Sequence, residues 1–162
     1  MAGPDLGYTV LSGPEWERVI AALGRVDEEL PHKLRDSIKE DAENLADVAR
    51  GRVVGLPTRD GHRKHLFEKV AAGVHVDDQG NGGVRVNTSM PTPSEGIIPR
   101  GLDRLKGWRH PLFGDKDHWF SNPGYSWFVS TFSDGKDKFE SGLNNVLEAA
   151  AKDVAEAGGV EL

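Results

Sequence analysis

Residues 74–88 read "VHVDDQGNGGVRVNT", and their period decides between an all-helical chain and a mixed one. Val74 and Val76 alternate with His75, and Val84 and Val86 alternate with Arg85. Period two puts the valines on one face of a strand. The intervening "DDQGNGG" supplies residues that tolerate positive φ. These features predict a β-hairpin over residues 73–88 with one buried face.

Outward from the hairpin the period changes to that of helices. Upstream, "HRKHLFEKV" predicts a short helix with Leu66, Phe67 and Val70 inward. Gly55, Pro57 and Asp60-Gly61 separate it from a long helix over about Pro31–Val54. Leu34, Ile38, Ala42, Leu45 and Ala49 form that helix's apolar stripe, and the charged "RDSIKEDAEN" its solvated face. In "SGPEWERVIAALGRV", Trp16, Val19, Ile20 and Leu23 mark a first helix. Ser12 and Glu15 have capping-box spacing, and Pro14 suits the first turn. Residues 1–12 are expected to be flexible.

Downstream, "SMPTPSEGIIPRGLDRLKG" (89–107) carries Pro91, Pro93 and Pro99 and reads as a long loop with at most one helical turn. "DHWFS" is a plausible strand, "YSWFVSTF" fits strand or helix, and a C-terminal helix runs from about Asp134 to Ala157. Its stripe is Phe139, Leu143, Val146, Leu147, Ala150 and Val154, and Gly158-Gly159 ends it. The sum is one α+β domain over residues 1–162. A long N-terminal helical region precedes a small antiparallel sheet, and a C-terminal helix packs on that sheet.

Charge narrows the partners. The chain has 162 residues and a net charge of -6. Residues 1–50 hold eleven acids and six bases, residues 51–118 eight and eleven, and residues 119–162 seven and three. A modestly basic middle between acidic ends disfavours tight binding of nucleic acid. The chain has no Cys, so disulfides, thiolate metal sites and a Cys nucleophile are excluded. No apolar run is long enough for a membrane span, and the N-terminus lacks a signal peptide's pattern.

The costliest residues gather in "GWRHPLFGDKDHW", 107–119. Eight of the twelve aromatics lie between Trp108 and Phe132, which predicts either the second half of the core or a rigid anchor set for association. One shared core is expected, combining the four hairpin valines with Trp119 and either Phe120 or Trp127. A metal reading would join His62 and His65 to His110, His118, Asp115 or Asp117, but these spacings match no ligand pattern. G-x-S-x-G and Walker A motifs are absent. No cofactor, catalytic residue or metal ligand is expected.

The order of motifs carries a resemblance. A long helix, "LPTRDGHRKHLFEKVAAGVHV", a Gly-rich hairpin, "LDRLKGWRHPLFGDKDHW", "PGYSWF" and a final helix resemble the tail-completion, or head–tail connector, proteins of long-tailed phages. That family is related to the minor tail protein Z of lambda, in the version found in actinobacterial phages. The resemblance covers about residues 25–157, and "WRHPLFG" is its most specific element. Asp115 stands where the family often has Asn. The resemblance implies a non-enzymatic virion protein, made in the host cytoplasm and placed in the neck. It implies a hexameric ring between a head connector or stopper and a tail terminator or tail-tube protein. DNA would cross the lumen without specific binding, and no membrane is involved. Trp108, Arg109, His110, Pro111, Phe113, Gly114 and Trp119 become candidates for a structural or interface loop. The alternatives are the tail terminator of the neighbouring ring and, more distantly, a small metal-dependent hydrolase using the His cluster.

Overall fold

The computed structural model describes residues 6–10, 13–58, 63–80, 83–112 and 115–157. Its elements run β1 (Gly7–Val10), α1 (Pro14–Val26), α2 (Leu30–Val54), α3 (Lys64–Ala72), β2 (Val74–Asp78) and β3 (Val84–Thr88). A 3-10 turn at Pro93–Glu95 follows, then α4 (Ile97–Asp103), β4 (Trp108–Leu112), β5 (Asp115–Asn122) and α5 (Trp127–Ala157). The fold is α+β, as expected.

Helix α2 is the spine. Leu30, Leu34, Ile38, Ala42, Ala46, Ala49 and Val53 are all buried, almost every one four residues after the last. Four-residue spacing drifts slowly around a helix, so one stripe stays inward over seven turns. The alanines in its second half let neighbours come close. The three-stranded sheet, in order β1-β3-β2, packs its apolar face on this helix. Both pairings are antiparallel, with Val76 opposite Val86 and Gly7 opposite Asn87. Val84, Val86 and Thr88 of β3 are buried while Arg85 and Asn87 between them are not, which matches the expected alternation. Asn81 and Gly82 of the turn lie outside the described residues; around them Gln79 N–H donates to Gly83 O at 2.9 Å and Gly80 has φ 74°. Arg50 of α2 ties the sheet down, its guanidinium donating to Val74 O at 2.8 and 3.2 Å.

Helix α5 packs chiefly along α2, antiparallel to it, and reaches the sheet where Phe132 stacks on Tyr8 at 4.7 Å. Gly135 and Gly142 of α5 make the approach close. A Cβ at Gly135 would lie 2.3 Å from Leu45 Cδ2, and one at Gly142 would lie 2.6 Å from Asp41 Oδ2. Arg52 crosses between the helices, donating to Ser130 Oγ (2.8 Å) and Asp134 Oδ2 (2.7 Å).

Four expectations are corrected. Residues 7–10, expected within a flexible 1–12, form an edge strand, and Thr88 N–H reinforces it by donating to Leu6 O at 2.8 Å. Residues 89–107 are not one long loop. Pro93 opens the 3-10 turn and Pro99 sits in the first turn of α4, where its missing N–H costs nothing. Lys69 holds Glu95 at 2.5 Å. The C-terminal helix begins at Trp127 rather than Asp134, so "WFVSTF" is helical. Trp127 joins the core as foreseen, but Trp119 and Phe120 do not. Ser12 and Gly158-Gly159 lie outside the described residues, as does the expected turn at Asp60-Gly61.

Candidate functional site

β4 and β5 form a second, separate two-stranded antiparallel sheet, an arm outside the main core. Trp108 pairs with Asn122, His110 with Phe120 and Pro111 with Trp119; then the register jumps so that Leu112 meets Asp115. Lys116, Asp117 and His118 are the extra residues on β5 at this irregularity. Such bulges bend a strand and re-aim the side chains beside them.

Strand alternation gives the arm two faces. One carries Trp108, His110 and Phe120 as a ladder of rings, with centroids 4.5 and 6.0 Å apart. Arg63, just before α3, lies over the Phe120 ring at 4.7 Å. The other face carries Arg109 and Trp119, the guanidinium 5.6 Å from the indole centroid. Trp119 is 51% exposed and Phe120 40%. The indole N–H of Trp119 donates to Lys116 O at 2.8 Å. Its polar atom is therefore satisfied inside the arm, and the ring offers a hydrocarbon surface that asks for no acceptor from whatever covers it.

The base of the arm is fastened by close backbone approach. Trp108 packs on α4, where a Cβ at Gly101 would sit 2.5 Å from its ring. Gly107 has φ 76°, and its N–H donates to Arg104 O at 3.0 Å. Gly124 passes so near that a Cβ there would fall 1.2 Å from Arg104 O. Tyr125 N–H donates to Leu102 O at 2.9 Å. Asp103 completes the joint. Its Oδ1 accepts the N–H of Phe128 (2.7 Å) and of Val129 (3.2 Å), capping α5 from a different element. Ser126 just before that helix has φ 47°, a positive value uncommon outside glycine. Burial raises the Asp103 carboxyl above its ordinary value, outweighing the two N–H donors that pull it down.

The described histidines do not converge. His65 Nδ1 lies 4.0 Å from Glu68, His75 Nδ1 lies 2.9 Å from Gly73 O, and His110 Nδ1 lies 3.1 Å from Pro111 O. His118 pairs with Asp115 at 2.8 Å. The Asp115 carboxyl is held below its usual range, first by the Asp117 N–H and then by His118. No group of three metal-ligating side chains occurs among the described residues, which exclude His62.

The chain matches no protein-family model, no curated protein and no solved structure.

Of the sequence candidates, Trp108, Arg109, His110, Pro111 and Trp119 all stand on the arm. Phe113 and Gly114 lie outside the described residues. The sequence reading missed Arg63, placed Trp119 in the core and offered Phe120 there as the alternative to Trp127. Alternation of Trp108 with His110 was the available signal for a ring-bearing strand face.

A second surface lies between α2 and α5. It is a cleft of about 220 Å³, open on one side, whose apolar lining comes from Leu45, Val48 and Phe139. Gly135 leaves room for it by lacking a side chain. Asp41, Asp134 and Lys138 stand among its polar lining.

Proposed function

We propose that this chain is a structural virion protein of a long-tailed phage, one that completes the tail and joins it to the head as a subunit of the neck ring. The observation that carries the reading is the arm. A two-stranded projection with half its large rings exposed, fixed at its base by bare glycines, presents rigid aromatic surface at small entropic cost. That is what a docking element requires. The motif order of the sequence supports the assignment to the neck, and an acidic chain suits a channel through which DNA slides, because like charge repels phosphate. A hexameric ring, with a head connector on one side and a tail terminator or tube protein on the other, is the assembly this reading calls for.

The test is loss of the gene in the phage that carries it. Full heads and finished tails should accumulate unjoined, and purified protein added to the lysate should restore infectious particles. Normal particles in its absence would overturn the proposal.

A further inference from the structure

The Trp119 face of the arm and the cleft between α2 and α5 both carry exposed apolar side chains among the described residues. We propose that they are halves of one contact, in which the arm of each copy inserts Trp119 into the α2–α5 cleft of the next copy. This inference deepens the neck-ring reading and rests on it for its biological setting.

Shape comes first. The cleft is on the scale of one large aromatic side chain. Its walls are Leu45, Val48 and Phe139, and Val48 is 47% exposed in the single chain. An indole whose N–H is already bonded to Lys116 O can enter such walls without stranding a donor. An indole that kept a free N–H would need an acceptor there. Phe120 fits less well: Arg63 sits closer to its ring (4.7 Å) than Arg109 does to that of Trp119 (5.6 Å), and Phe120 is the less exposed of the two.

Charge comes second. Arg109 travels with Trp119 and makes no ion pair among the described residues. Asp41 on the cleft also lacks an ion pair within 4.0 Å among them, whereas Asp134 is taken by Arg52. Burial and the neighbouring Glu40 make the Asp41 charge unfavourable, with Lys138 only partly offsetting them. A guanidinium arriving beside the indole supplies the missing counter-charge. One chain thus carries an apolar ring beside a cation, and an apolar slot beside an anion, neither in an ion pair among the described residues, which argues for a second copy as the occupant rather than an unrelated protein.

Geometry comes third. Arm and cleft are different patches of one molecule, so the contact is heterologous. Such contacts propagate head to tail and end only by closing into a ring. A weak pairwise contact suffices, since closure makes the last contacts intramolecular.

The chain's lack of cysteine allows a clean cross-linking test. Lys116→Cys marks the arm, Asn44→Cys marks the cleft, and Lys152→Cys serves as a control elsewhere on α5; all three sites are exposed. With chains of different tag, a short bis-maleimide should yield a mixed Lys116–Asn44 product well above that of Lys116 with Lys152. Trp119→Ala in the arm partner, or Val48→Glu in the cleft partner, should lower it roughly tenfold or more, the scale of truncating an aromatic anchor. Both variants change exposed side chains, and unaltered circular dichroism and melting show that each remains folded. A chain bearing both cysteines should give a ladder of oligomers. The proposal is overturned by a mixed product no stronger than the control, by arm–arm products alone, by cross-links confined within single chains, or by indifference to Trp119→Ala. No cross-link together with Trp119→Ala particles that fail to join would sink this contact and leave the neck reading standing. Cross-links together with normal particles lacking the gene would do the reverse.

Discussion

Replacing Asp103 tests how α4, the arm and α5 are joined. Asp103→Ala removes the acceptor for two N–H groups at the start of α5. Loss of an N-cap side chain costs about 0.5–2 kcal/mol. The upper end applies, because Phe128 is 1% exposed and water cannot replace the lost acceptor for its amide. The Val129 amide belongs to an exposed residue and can turn to solvent, and removal of a buried carboxylate gives back part of the loss. The expected net is about 1.5 kcal/mol, or roughly 3–6 °C in melting temperature for a domain of this size. Urea unfolding followed by circular dichroism measures it, and faster exchange of the Phe128 and Val129 amides localises it. Asp103→Asn keeps an oxygen in the same place and should lose less than about 1 kcal/mol near neutral pH. The pH dependence has a definite sign. Burial raises the folded-state pKa of Asp103, so the native chain prefers the protonated acid. That preference stabilises the wild type fully below the unfolded value and fades as pH rises through the folded one. The balance between Asn variant and wild type should therefore shift toward Asn between about pH 4 and neutrality. A loss below about 0.5 kcal/mol for Asp103→Ala would refute the capping argument. A shift toward the wild type with rising pH would refute the primacy of burial.

Two further outcomes follow from the same geometry. Trp119→Ala should change stability by less than about 0.5 kcal/mol, whereas Trp127→Ala, removing a ring that is 1% exposed, should cost ~3–5 kcal/mol; equilibrium unfolding of the pair compares them directly. Gly124→Ala should lose more than about 2 kcal/mol, because its Cβ would collide with the Arg104 carbonyl and backbone cannot step aside as a side chain can; a melting point within a degree or so of wild type would show that the strands reattach another way.

The parts of the fold legible in the sequence are those governed by a local period. Leu34, Ile38, Ala42 and Ala49 announced α2, and the valines of 74–86 announced the hairpin, because each pattern reports on its own segment. The start of α5 was hidden, since its cap is Asp103, more than twenty residues upstream and on another helix. α4 was half legible: "PRGLDRL" suggests a single turn, and the helix starts earlier, at Ile97, with Pro99 inside its first turn. The arm shows a different limit. Alternation tells which of Trp108, His110, Trp119 and Phe120 share a face, but only tertiary structure tells whether anything covers that face. Aromatic density fits a core or an exposed anchor set equally, and the structure divides it, burying Trp127, Phe128 and Phe132 and leaving Trp119 and Phe120 half in solvent.

The fastenings at the base of the arm end within one turn of backbone. Gly101 receives Trp108, Leu102 receives Tyr125, Arg104 receives Gly107, and Asp103 between them holds the first amides of α5. Apart from Arg63 over Phe120, the described strands of the arm are a cantilever on this root. Load on them is collected into residues 101–104 and delivered, through the Asp103 carboxylate, to the helix that forms one wall of the α2–α5 cleft. An assembly that pulls on this arm pulls on that wall.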